Sequence, residues 1–206
     1  RIALPGGCAI GTRPVNFHLD ALKQLGAKIV LKNGYIEASA KKLFGNKIKF
    51  DGVTVTGTEN LMMAASLADG RTFLTNVAKE PEIIDLADML NSMGAKIQGA
   101  GSDEIIIDGV EKLHGSEYSI PADRIEAGTY LTAAAVTNGN ITVEGINPSR
   151  LMKVINKLED TGANLTYDKN SISISMNKDR PRPVDITTAP FPEFPTDMQA
   201  QFSVIN

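Results

Sequence analysis

The chain has 206 residues, a net charge of −3 and 42% hydrophobic residues, enough for a sizeable core in one large domain or two small ones. The acidic balance, the lack of tryptophan and the absence of any basic run interleaved with aromatics argue against nucleic acid as a partner. One cysteine excludes an internal disulfide, no apolar run approaches the roughly 20 residues that span a bilayer, and no zinc-ligand spacing, P-loop, dinucleotide fingerprint or signal peptide is present, which disfavours membrane, metal and nucleotide-cofactor chemistry.

The first feature in chain order is Leu4-Pro5-Gly6-Gly7-Cys8-Ala9-Ile10-Gly11-Thr12-Arg13-Pro14, which sets the sole cysteine in a glycine-rich loop five residues ahead of an arginine. Glycine lets backbone approach a ligand, proline stiffens the exit, and guanidinium can pair with phosphate or carboxylate. On loop context alone a lone cysteine is more often a small buried hydrophobe, and Arg13 a surface charge.

Beyond the loop, a helical stretch ending in Gly-Ala recurs three times, at Leu19–Ala27, Leu86–Ala95 and Val154–Ala163. Its glycines, Gly26, Gly94 and Gly162, fall 68 residues apart. Each glycine stands where a helix C-terminus needs a left-handed residue, and alternating strands follow at Lys28–Leu31, Lys96–Gln98 and Asn164–Tyr167. Tight turns at Asn33-Gly34, Gly99–Gly101 and Asp168–Asn170 then lead to return strands such as Ile105–Ile107 and Ile172–Ser175. Ahead of the later two copies lie helices at Asn60–Ala68 and Glu126–Val136, apolar on most sides and therefore expected to be buried, each followed by a turn and a strand (Thr72–Leu74, Ile141–Val143). The repeating unit reads strand, helix, strand, helix, strand, strand, and such a unit must pack against copies of itself. Glu80-Pro81-Glu82 opens a helix, proline suiting the first helical position and acids the first turn. The domain boundary is placed near Ile120-Pro121-Ala122, where a strand gives way to the helix start Asp123-Arg124-Ile125-Glu126. This gives units 1–121 and 122–206, with Arg180–Pro183 a loop inside the last repeat. A terminal helix is expected from Asp197 to Asn206, and Thr196-x-x-Gln199 has the form of a capping box.

The loop Pro5-Gly6-Gly7-Cys8-x-Ile10-Gly11-x-Arg13-Pro14-Val15, with His18, resembles the active loop of the UDP-N-acetylglucosamine enolpyruvyl transferase family. The likeness continues through Leu25-Gly26-Ala27, Ala38-Ser39, Glu80-Pro81-Glu82, Asp123–Thr129 and Thr188-Ala189-Pro190-x-Pro192-x-Phe194-Pro195-Thr196-Asp197-Met198-Gln199-Ala200-Gln201, so it covers essentially the whole chain. The resemblance implies an α/β (α+β) fold, the inside-out α/β barrel-like architecture of two domains, each of three repeated βαβαββ units. Measured against that family, roughly the first and last quarters of a full-length enzyme are expected to lie outside this sequence, leaving the fragment by itself inactive.

What the resemblance implies chemically is transfer of the enolpyruvyl group of phosphoenolpyruvate to the 3-hydroxyl of UDP-N-acetylglucosamine, without cofactor or metal. This would be a cytoplasmic step of bacterial peptidoglycan precursor synthesis, linked to cell shape and division. Cys8 matches the family's proton donor and the thiol that fosfomycin alkylates, and Asp197 its candidate base. Substrate contacts carry over to Arg13, Pro14, Val15, Asn16 and Phe17 and to Gly52, Val53, Thr54 and Val55. Asn16 stands where aspartate is frequent in the family, Thr54 where serine is, and Gly52 where a longer side chain is. His18 is open between a ligand role and a surface or capping role, and Asp123 and Arg124 between a helix start and a part in domain closure. Two rivals remain: the shikimate-pathway enolpyruvyl transferase, against which a cysteine in the loop argues, and a noncatalytic UDP-sugar-binding module. The sequence leaves the oligomeric state open.

Overall fold

The computed structural model describes residues 1–3, 15–176 and 180–206. They divide into two compact units, Arg1–Tyr118 and Ser119–Asn206.

In the first unit, β1 (Ile2–Ala3), α1 (Asn16–Gln24), β2 (Lys28–Lys32) and β3 (Tyr35–Ser39) form one repeat with an antiparallel sheet ordered β1-β3-β2. The next repeat is complete: β4 (Lys47–Lys49), α2 (Val55–Ser66), β5 (Arg71–Thr75), α3 (Pro81–Ser92), β6 (Lys96–Gln98) and β7 (Glu104–Asp108). Its sheet runs β4-β5-β7-β6, with β4 parallel to β5 and the other pairs antiparallel. The second unit holds α4 (Arg124–Val136), β8 (Asn140–Glu144), a 3₁₀ turn (Pro148–Arg150), α5 (Met152–Asp160), β9 (Asn164–Tyr167), β10 (Ser171–Ser175), a second 3₁₀ turn (Thr196–Met198) and α6 (Gln199–Ile205), around a sheet ordered β8-β10-β9.

The repeat is preserved down to strand register. Thr72 pairs with Ile107, and adding 68 to each number gives Asn140 and Ser175, which also pair. Period-two burial follows, with Leu74, Ile105 and Ile107 under one sheet and Ile172 and Ile174 under the other. Leu61 and Met62 on α2 and Leu131 on α4 are fully buried, and burial on this scale contributes about 1.5–3 kcal/mol per large apolar side chain. Each of these two helices buries one side against its sheet and the neighbouring helices and leaves another open: Met63 on α2 is 45% and Tyr130 on α4 58% exposed.

All three Gly-Ala helix ends close the same way. Gly26, Gly94 and Gly162 have φ of 98°, 97° and 98°. The glycine N–H groups donate to Lys23, Asn91 and Glu159, and the alanines that follow donate to Leu22, Leu90 and Leu158, the double bond of a Schellman motif. A returning segment then fastens each end: the N–H groups of Phe44, His114 and Arg182 donate to the carbonyls of Leu25, Met93 and Thr161 at 2.8, 2.9 and 2.9 Å. Their side chains lie over the glycines, Phe44 over Gly26, His114 over Gly94 and Arg182 over Gly162.

Two expected elements differ. No strand precedes α4: residues 112–123 carry no regular element, since an extended segment without a ladder partner gains none of the hydrogen bonds that define a strand. The terminal helix starts with a 3₁₀ turn, Thr196–Met198, in which the Met198 N–H donates to the Pro195 carbonyl, and only Gln199–Ile205 is α-helical. No side-chain cap forms at either start, so the Thr196-x-x-Gln199 capping box is not made.

Gly94→Ala is expected to destabilise the chain by about 1–2 kcal/mol from the left-handed backbone alone. It should cost more than Gly70→Ala, because a Cβ at Gly94 lands 3.1 Å from the His114 ring whereas Gly70, also at positive φ, faces open space. Urea unfolding of the two variants checks the order.

Candidate functional site

The Cys8 loop, with Arg13 and Pro14, lies outside the described residues. The segments flanking it in the expected site are described, and the fold of the first unit brings them together.

Val15 precedes the first turn of α1, and its carbonyl accepts from the Leu19 N–H at 3.1 Å. It caps nothing with its side chain, so among the described residues no side-chain cap serves the leading N–H groups of α1. Asn16 is exposed, whereas Phe17 packs against the core of the unit. Its ring reaches the loop ahead of α2: a Cβ at Gly52 would sit 3.3 Å from Phe17 Cζ. The glycine expected to be anomalous here thus leaves the space that the Phe17 ring fills. Val53 is exposed, Thr54 is the N-cap of α2 and Val55 anchors the helix on the core. The Thr54 hydroxyl accepts from the Gly57 N–H at 3.2 Å, and its carbonyl accepts from the Thr58 N–H and hydroxyl at 3.1 and 2.7 Å. Buried Thr58 in turn accepts the Ala78 N–H at 3.1 Å, which ties the cap to the segment after β5. Two helix N-termini therefore stand side by side, each offering backbone donors and a positive dipole end, an arrangement suited to a phosphate or other anion.

His18, also on the first turn of α1, bridges to α2. Asn60 Nδ2 donates to His18 Nδ1 at 2.6 Å, and His18 Nε2 lies 3.4 Å from the Thr56 hydroxyl. Burial holds the ring below its usual pKa of 6.5. The neutral ring is therefore favoured on folding; this contribution is present above 6.5 and lost as pH falls through the lowered folded value. Nothing in the sequence marked Asn60 or Thr56, because their link to His18 spans 42 and 38 residues. One residue before Asn60, the Glu59 carboxyl is pushed up, first by burial and then by the charges of Glu82 and Glu80.

Asp197 belongs to the second unit. It is exposed in the 3₁₀ turn before α6, immediately ahead of Met198, which is fully buried and lies 3.0 Å from a Cβ built on Gly128 of α4. Phe194 and Phe202 pack edge to face at 5.0 Å, and Gln201 Nε2 donates to the Thr129 hydroxyl at 2.9 Å, so the short turn is fixed on both sides. Phe191-Pro192 is cis. Asp123 acts as a cap, accepting from the Ile125 and Glu126 N–H groups at 2.7 and 3.2 Å, which accounts for that acid structurally. Arg124 is buried, its guanidinium 5.8 Å from the Phe191 ring, and lines a cavity of about 150 Å³ with Arg150, Lys153, Phe191 and Pro195. Glu80-Pro81-Glu82 opens α3 as expected, with Pro81 at the first helical position. Among the described residues no group of three or more His, Cys, Asp or Glu could hold a metal ion, and no helix is long and apolar enough to cross a membrane.

The sequence profile of the family described as EPSP synthase (3-phosphoshikimate 1-carboxyvinyltransferase) matches residues 1–206. The chain belongs to this family of carboxyvinyl transferases. Among family members, the UDP-N-acetylglucosamine 1-carboxyvinyltransferase of Aeromonas hydrophila is 56% identical over 206 residues, covering 100% of this chain and 49% of that protein. The proteins of the same name from Aeromonas salmonicida and Vesicomyosocius okutanii are each 55% identical over the same shares. The chain spans about half the length of the curated relatives it matches. Among solved structures, the enolpyruvyl transferase NikO from Streptomyces tendae superposes with a TM-score of 0.82 at 20% identity, over 94% of this chain and 49% of that one, which establishes the enolpyruvyl transferase fold. The EPSP synthase from Acinetobacter baumannii gives 0.60 at 25% identity, over 82% and 41%.

Thr54→Ala should destabilise the chain by about 1 kcal/mol, since the Gly57 N–H loses its acceptor, while Thr54→Ser retains most of the stability. Circular dichroism through urea unfolding reads the difference.

Proposed function

We propose that the protein transfers the enolpyruvyl group of phosphoenolpyruvate to the 3-hydroxyl of UDP-N-acetylglucosamine, with release of phosphate. The observation that carries this reading is 56% identity across the whole chain to a transferase of that name, against 25% to a shikimate-type relative. In balanced form, a proton is delivered to the methylene carbon of phosphoenolpyruvate while the sugar oxygen, losing its own proton, bonds to C2. The resulting tetrahedral intermediate then loses phosphate and a methyl proton to restore the enol ether.

Within this reading Cys8 supplies the proton to the methylene carbon and Asp197 accepts the one from the sugar hydroxyl. An exposed carboxylate that caps no helix suits that second role. Arg13 and Pro14, with Val15, Asn16 and Phe17, bind the uridine and diphosphate together with Gly52, Val53, Thr54 and Val55. The paired N-termini of α1 and α2 supply backbone donors for the diphosphate. Residues 1–121 and 122–206 contribute to the two inside-out domains of the parent fold, and neither cofactor nor metal takes part. The reaction belongs in the cytoplasm, at the entry to peptidoglycan precursor synthesis, and fosfomycin is the expected covalent inhibitor. A noncatalytic UDP-sugar-binding module is less well supported, because it has no use for both a loop thiol and the uncapped Asp197.

Incubation of the chain with fosfomycin, with and without UDP-N-acetylglucosamine, should place an adduct on Cys8 that forms faster with the nucleotide sugar and is absent in Cys8→Ser, as read by intact and peptide mass. Absence of adduct both in this chain and in a version extended to the length of its relatives would overturn the role of Cys8. In the extended version, Asp197→Asn should slow phosphate release by about 10²–10⁴-fold, the range for loss of a positioned base. The 206-residue chain alone should release little or none.

A further inference from the structure

The first turns of α1 and α2 meet through two adjacent side chains. Phe17 fills the space above Gly52, and on the neighbouring side His18 spans a full turn of α2, from Thr56 to Asn60. With the Asn60 amino group facing it as the donor, His18 Nδ1 accepts through its lone pair. The ring proton of the neutral form then sits on Nε2, facing the Thr56 hydroxyl. Protonation of the ring places a second donor against the Asn60 amino group at a separation of 2.6 Å, so the pairing as it stands is lost unless the Asn60 amide turns over to present its oxygen.

We propose that His18 is a positioning residue: as the neutral imidazole it pins the first turn of α1 to that of α2 and so fixes the spacing of Val15–Phe17 against Gly52–Val55, without touching the ligand. This rests on the reading of those two segments as one nucleotide-sugar site. The lowered basicity of the ring agrees with it, since the pinned form is the one present at neutral pH. Among the described residues the charged groups around it are few. Glu59 lies on α2. Asp20 and Lys23 on α1 pair with each other at 3.0 Å. Lys28 and Lys32 lie on β2, which also packs against α1, and Asp51 precedes Gly52. Burial is the cause of the downward shift of His18.

The test pairs two variants with two readouts between pH 5 and pH 8. Calorimetric titration with UDP-N-acetylglucosamine should show wild-type affinity falling as pH drops through the His18 transition. His18→Leu should bind about fivefold more weakly at neutral pH, the effect of one hydrogen bond, with no pH slope. Asn60→Asp puts a carboxylate opposite Nδ1, raises the ring's pKa and should remove the acid-side loss, because imidazolium and carboxylate now hold the contact. Hydrogen exchange of the α1 amides, measured without ligand, should quicken below the transition in the wild type and not in Asn60→Asp. Wild-type affinity in His18→Leu, or α1 exchange independent of His18 protonation, overturns the proposal. If the wild type fails to bind the nucleotide sugar at any pH while α1 exchange follows His18, the substrate reading falls and the pinning of α1 to α2 stands.

Discussion

Each repeat depends on how its helix ends. A helix leaves four carbonyls without intrahelical partners, and here the glycine and alanine N–H groups satisfy two of them through a left-handed turn that an L side chain enters only at a cost of about 1–2 kcal/mol. The turn aims the chain directly into the first strand of a hairpin. The hairpin's return segment then donates to the residue just before the glycine and lays a side chain over the glycine itself. Helix, hairpin and return segment are thus locked around one backbone point. The covering residue changes from Phe44 to His114 to Arg182, while the backbone bond beneath it stays within 2.8–2.9 Å. The geometry is held by main chain and tolerates any side chain large enough to cover the turn.

From that anchoring follows the placement of the helix starts. In the complete repeat α2 begins after the parallel strand β4, capped by Thr54, and α4 begins capped by Asp123. A side-chain cap satisfies one or two leading N–H groups and leaves the others for a ligand. Among the described residues no side chain caps the α1 start, and α1 and α2 pack against one another, so the candidate site in the first unit offers main-chain donors first and side chains second. This explains why Thr54 in place of serine and Gly52 in place of a longer residue are compatible with the arrangement. The hydroxyl is retained, and the missing side chain at residue 52 makes room for the Phe17 ring.

The parts legible in the sequence were those set by local chemistry. Gly26, Gly94 and Gly162 were marked by their spacing and by the alternation after them, and the hairpins β6-β7 and β9-β10 and the Pro81 helix start followed from turn and cap preferences. The misjudged parts were those where local preference met no partner. A strand is expected to end near Ile120-Pro121-Ala122, yet a strand exists only if another lies beside it, and residues 112–123 carry no regular element. Thr196 and Gln199 were spaced as a capping box, but the Pro195 carbonyl closes a 3₁₀ turn with the Met198 N–H, and the box has no α-helical first turn to cap. The contact of His18 with Asn60 was invisible for the opposite reason: the residues are ordinary, and only the packing of α1 on α2 makes them neighbours.

The last of these bears on how the two units differ as carriers of chemistry. In the first, the candidate site rests on contacts between helices, so its geometry is set by side chains that meet across long sequence separations. In the second, Asp197 is held by its own neighbours. Met198 and Phe202 are fully buried on either side of the turn, Gln201 bonds Thr129, and the carboxylate is left exposed with no capping duty. The backbone of the turn is thereby fixed, while the Asp197 side chain faces solvent. Proton transfer needs a fixed atom, whereas an anionic ligand can be met by several N–H groups whose spacing one histidine holds.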